Sequence, residues 1–164
     1  MLLLGAVPVL LGALSGCGLR PVYAGGASGA TAQAFAAIEV PPIQGGEGWL
    51  VRNALVDRLG QSGASATPQY RLDVALDDDL EGLGLLTDDT IGRERRTLRA
   101  RYQLVDLASG EVLLDATAGS DAGIDVVGSE YATIAAEQRA LENLAEEVAD
   151  RIVQRLALTF NKQS

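Results

Sequence analysis

Three groups of residues in this chain are of types that can do chemistry. Cys17 is the only cysteine, and it stands where an apolar run ends. The stretch RERRTLRAR, 93–101, concentrates arginine. Asp77, Asp79, Glu81 and Asp88 form a run of carboxylates around Gly82. A lone thiol can be acylated, oxidised or used as a nucleophile. Guanidinium groups hold phosphate or carboxylate oxygens through paired N–H donors. Carboxylates spaced as in 77, 79, 81 and 88, with glycine at 82, suit a calcium loop, although a bidentate glutamate usually closes such a loop and here the residue is aspartate.

The rest of the composition narrows these choices. The chain has 164 residues, 48% hydrophobic and 21% charged, with no histidine and a formal charge of -9. One cysteine permits no internal disulfide, and without histidine no Cys/His metal cluster forms. A serine nucleophile would lack its imidazole base, and the only lysine is Lys162 near the C-terminus. The carboxylates fall in loops or on helix surfaces with few aromatics nearby. No enzyme activity, cofactor or metal is therefore expected. The acidic balance argues against a nucleic-acid partner.

Leu2 to Leu14 form an apolar run of signal-peptide length, short for a membrane span of about 20 residues. No Lys or Arg precedes it, so the true start is expected upstream. LSGC, 14–17, looks like a bacterial lipobox: an aliphatic residue, two small ones, then cysteine. On that reading 1–16 is a lipoprotein signal peptide, and Cys17 becomes the acylated first residue of the mature chain. Several acyl chains together give stable membrane attachment, where one is marginal. Gly18 follows the cysteine where aspartate would resemble an inner-membrane retention signal, which implies the outer membrane.

The remaining sequence must position the arginines. Residues 17–33 are rich in Gly, Ala and Ser and read as a tether. Residues 34–43 read as a strand with Ala36, Ile38 and Val40 on one face, ended by Pro41 and Pro42. Residues 48–60 read as a helix with Val51, Ala54, Leu55 and Leu59 inward, stopped at Gly60. Alternation in 70–77, 93–106 and 112–121 predicts three strands, with 77–89 an acidic loop and 107–111 a hairpin connection. On the third strand Val112, Leu114, Ala116 and Ala118 should share a face. A final helix spans 129–160, capped by Ser129, with Ile134, Leu141, Leu144, Ala145, Val148, Ile152 and Leu156 inward.

The predicted fold is an α+β two-layer sandwich over 34–160. It is a four-stranded mixed sheet with two helices on one face, in the order β-α-β-β-β-α. The other face stays open and carries Arg93, Arg95, Arg99 and Arg101 in one row, while Arg96 points away or frays. An anionic partner is one reading: lipid phosphate, or acidic groups of another protein. The competing reading is cross-strand pairing with Asp73, Asp77 and Asp115. LGLL, 83–86, could dock on a partner or membrane.

GCGLRPVY (16–23), RARYQLVD (99–106) with GEVL (110–113), and SEYATIAAEQRALENLAEEVADRI (129–152) together resemble the LptE family of lipopolysaccharide-assembly outer-membrane lipoproteins, in an alphaproteobacterial form. The resemblance implies a non-catalytic plug inside the LptD β-barrel that helps the barrel assemble and takes part in moving lipopolysaccharide to the surface. It implies an outer-membrane location through the acylated Cys17. The arginine row is not transferred from the family; it is this sequence's own candidate contact for lipopolysaccharide or partner. A scaffold or chaperone of envelope assembly without a lipid ligand is the alternative.

Overall fold

The structure is a computed structural model, and it describes residues 29–60, 67–85 and 91–163. Its elements are α1 (Ala30–Ala36), β1 (Ile38–Glu39), α2 (Gly46–Arg58), β2 (Tyr70–Leu85), β3 (Ile91–Asp106), β4 (Val112–Asp125) and α3 (Glu130–Gln163). The sheet order is β1-β2-β3-β4. β1 runs parallel to β2, with Ile38 opposite Tyr70, and the other neighbours are antiparallel. This is the expected four-stranded mixed sheet with helices on one face, plus one further helix.

That extra helix corrects two expectations. Residues 30–33 are not tether, and 34–36 are not strand. The segment ATAQAFA is dominated by alanine, the strongest helix former. Its Phe35 is buried against Phe160 of α3, with ring centroids 6.2 Å apart. Only two residues remain for β1 before Pro41 and Pro42, which lack the N–H a ladder needs.

The helix α2 buries Val51, Ala54 and Leu55 as its spacing predicts. Gly48 sits so close to the preceding segment that a Cβ there would lie 2.5 Å from the Ile43 carbonyl oxygen. Arg52 Nε donates to the Val40 carbonyl at 3.0 Å and ties the helix to the end of β1. Gly60, at φ +71, turns the chain out of the helix in the left-handed region that favours glycine.

β2 runs on through the stretch read as an acidic loop. Tyr70 to Leu85 is 16 residues of strand, matched by 16 in β3. Asp77, Asp79 and Glu81 therefore alternate along one face, roughly 6.8 Å apart. That spacing does not converge on a calcium ion, whose ligands must all lie within about 2.6 Å of it. Asp88 lies outside the described residues, as does part of 83–86. β4 also runs further than expected, to Asp125.

The helix-side face of the sheet supplies the core: Leu72, Leu98, Ala100, Tyr102, Leu104 and Ile124 are buried. α3 covers them with Leu141, Leu144, Ala145, Val148, Ile152 and Leu156. At 34 residues it is about 51 Å long. Ile134 does not join this stripe and is 54% exposed; Thr133 is buried instead, its N–H donating to the Ser129 carbonyl at 3.1 Å. Arg96 also turns to this side. It grips Asp78 through two bonds, 2.9 and 2.6 Å, and donates to the Glu137 carbonyl of α3 at 3.2 Å.

The β3–β4 hairpin contains a register shift. Leu104 pairs with Leu114, but Val105 pairs with Val112. The extra residue reverses the alternation, so Val112 lies with Val105 on the open side, 47% exposed, away from Leu114. The turn is organised by Asp106, whose carboxylate accepts from the Ala108 and Ser109 N–H groups and the Ser109 hydroxyl. The Ser109 backbone bond leads in holding Asp106 below the usual carboxylate range.

Candidate functional site

Period-two geometry brings Arg93, Arg95, Arg99 and Arg101 to the open face together, as their spacing predicts. Each lies between a residue of β2 and one of β4: Leu83 and Asp125, Glu81 and Gly123, Asp77 and Gly119, Ala75 and Thr117. The register decides what each can reach. Arg93 pairs with Asp125 directly opposite, at 3.1 Å. Arg95 leans diagonally to Asp121 at 3.8 Å, and Arg101 leans the same way to Asp115 at 3.1 Å.

The same diagonal from Arg99 ends at Thr117, which carries no charge. Asp77 is its register partner on β2, yet the two form no ion pair. Arg99 makes no side-chain hydrogen bond or salt bridge with any described residue. Its stem lies over Gly119, where a Cβ would come within 3.2 Å of Arg99 Cγ. Around it is a shallow depression of about 450 Å³, lined by Ala75, Asp77, Arg99, Arg101, Thr117 and Gly119. Gly119, directly opposite on β4, has no side chain to crowd the Arg99 stem.

Asp115 is the best-held acid of the face. Arg101 donates to it first, Gln103 adds a bond at 2.9 Å, and together they hold its carboxyl below the usual range against the opposing effect of burial. The hydrogen bond to Asp115 raises Arg101 in turn. Of the three acids expected to pair with the row, only Asp115 does so. Asp73 instead binds Arg71 of its own strand at 2.9 Å. The partners missed from sequence are Asp121 and Asp125. Their odd numbering, continuous with Asp115, is the signal that β4 extends past 121.

The face is thus a cationic ridge, β3, between two acidic rails. β2 contributes Asp73, Asp77, Asp79 and Glu81; β4 contributes Asp115, Asp121 and Asp125. A phosphate or carboxylate could reach Arg99 without displacing an acid. To reach Arg93, Arg95 or Arg101 it must compete with an aspartate already in place. Cys17 lies outside the described residues.

An antiparallel hairpin sheet extended by a short parallel strand, backed by helices and paved with charge on its free face, is a two-layer α+β sandwich. The chain belongs to the LptE family of lipopolysaccharide assembly, whose family model matches residues 35–156. No curated protein matches it. Among solved structures it is similar to a chain from Caulobacter crescentus CB15 described as a lipoprotein, at 23% identity and a TM-score of 0.69, covering 83% of this chain and 98% of that one. It is also similar to rare lipoprotein B from Shewanella oneidensis, at 14% identity and TM-score 0.55, covering 77% and 96%. The minor lipoprotein from Acinetobacter baumannii stands at 14% identity and TM-score 0.55, covering 74% and 88%. These likenesses establish the shared fold.

Proposed function

We propose that this protein is a non-catalytic outer-membrane lipoprotein, anchored through an acylated Cys17. It plugs an LptD-like β-barrel, assists its assembly, and takes part in transporting lipopolysaccharide to the surface. On this reading residues 1–16 are the signal peptide, and 17–29 tether the domain to the membrane. The family match over 35–156 supports the assembly role. The observation that carries the ligand reading is the unpaired Arg99 at the centre of a cationic ridge. Lipopolysaccharide phosphate meets Arg99 first, and Arg93, Arg95 and Arg101 exchange their aspartates for the ligand only at closer approach.

The test is binding of lipopolysaccharide to the full chain in detergent. Arg99→Glu should weaken binding more than Arg93→Glu, and depletion of the protein should impair both barrel assembly and surface lipopolysaccharide. Normal barrel assembly and normal surface lipopolysaccharide after depletion would sink the proposal. A second reading, a scaffold without lipid ligand, is favoured by the aspartates that already satisfy Arg93, Arg95 and Arg101. It predicts no lipopolysaccharide binding, and a pull-down that lacks any barrel.

A further inference from the structure

β4 ends the sheet order, so among the described residues its outer edge pairs with no strand. Two hydrogen bonds show which residues face that edge. The Val126 N–H donates to the Gly92 carbonyl, on the β3 side. The Gly119 carbonyl accepts from Arg151 of α3, on the outer side. Along a strand the backbone groups of successive residues alternate in direction. Asp115, Thr117 and Gly119 therefore present their N–H and C=O groups outward, and Ala116 and Ala118 present theirs to β3. Arg151 closes the edge at Gly119 and also donates to the Ser120 hydroxyl at 3.2 Å. Asp115 and Thr117 are left open.

Between this edge and α3 lies a trench of about 550 Å³, lined by Tyr102, Ala116, Ala118, Arg151 and Arg155 among others. Alanine at 116 and 118 keeps it open. The Tyr102 ring is buried and its hydroxyl has no hydrogen-bond partner among the described residues. Burial pushes that phenol up, while the positive charge of Arg155 works against the rise. The Arg155 guanidinium is exposed and makes no ion pair or hydrogen bond with any described residue.

We infer that this edge accepts an extended acidic segment of a partner protein as a fifth strand, its backbone pairing with Asp115 and Thr117 and its carboxylate with Arg155. An open edge offers donors and acceptors in alternation, which a peptide backbone uses in full. A phosphate group would use the donors alone. A second copy of this chain fits poorly: Leu114, Ala116, Ala118 and Ser120, on the trench side of β4, supply no acid, and pairing would bring two Arg155 side chains together. The inference is independent of the open-face reading, because Arg155 stands on the helix side.

The probe is a blocked hexapeptide of alternating valine and glutamate, added to the full chain in detergent. Its lysine counterpart and a version N-methylated at alternate backbone nitrogens are the controls. The glutamate peptide should protect the Asp115 and Thr117 amides from hydrogen exchange. Affinity should fall at least tenfold with Arg155→Glu and with the N-methylated peptide, and the lysine peptide should not bind. Arg155→Gln, with an unchanged circular dichroism spectrum, should fall between wild type and Arg155→Glu. Equal binding of the N-methylated peptide would mean an anion site and overturn the strand reading. So would absence of binding, indifference to Arg155→Glu, or protection of the same amides by self-association without peptide.

Discussion

Arg99 is distinguished from Arg95 and Arg101 by one residue on the next strand. The diagonal that supplies Asp121 to Arg95 and Asp115 to Arg101 supplies Thr117 to Arg99. Thr117→Asp should give Arg99 a partner of its own. Lipopolysaccharide binding, measured by equilibrium titration, should then fall about as far as with Arg99→Gln, although the arginine is untouched. The acids respond in the opposite sense. Asp115 has its folded pKa depressed, so the stability it lends is present above the ordinary carboxylate range and is lost as pH falls through its lowered value. Arg101→Gln should move the Asp115 titration back up toward that ordinary range, as read by carboxyl NMR.

At the scale of elements, β3 was legible and its neighbours only partly so. Even-numbered apolar residues with odd-numbered arginines fix a half-buried strand without ambiguity. The sequence pattern ends β2 at 77, because DDDLEGLGL reads as an acidic loop. In fact Asp77, Asp79 and Glu81 are the wet side of a strand, and Asp78 turns inward to meet Arg96, a pairing visible only once the register is known. Reversal of alternation at the hairpin, which exposes Val112, likewise depends on a single extra residue. The strand expected over 34–43 shrinks to the two residues of β1, because alanine and isoleucine suit both helix and strand patterns over so few residues. The Arg96–Asp78 pair, 16% exposed on each side, also anchors the first half of α3. Arg96→Ala should cost roughly 2 kcal/mol in urea unfolding, between the small worth of exposed pairs and the larger loss on breaking buried ones. Leu156→Ala, at a fully buried site of the same helix, should cost about 2–5 kcal/mol.

For the whole molecule, the open face and the proposed N-terminal anchor can be tested separately. Cys17→Ser should move the protein from the membrane to the soluble fraction after cell breakage. The circular dichroism of the folded domain should not change, because the substitution exchanges a single side-chain atom. Binding that depends on Arg99 should weaken with added salt, since exposed charges are screened beyond about 10 Å at 0.1 M. The packing of α3 on the sheet should persist in the same salt, because its apolar contacts are not screened.

The register of β3 sets a rule for how this sheet can change over evolutionary time. Leu98, Ala100, Tyr102 and Leu104 interleave with Arg99, Arg101 and Gln103, so core and charged face are offset by a single residue. Loss or gain of one residue within 98–104 would exchange the two sides and bury guanidinium groups beneath α3. Length can drift there only in steps of two. The turn at 107–110 and the bulge beside Val105 are the places where an odd step is absorbed, which makes the hairpin end the sheet's tolerant margin and the middle of β3 its frame-locked centre.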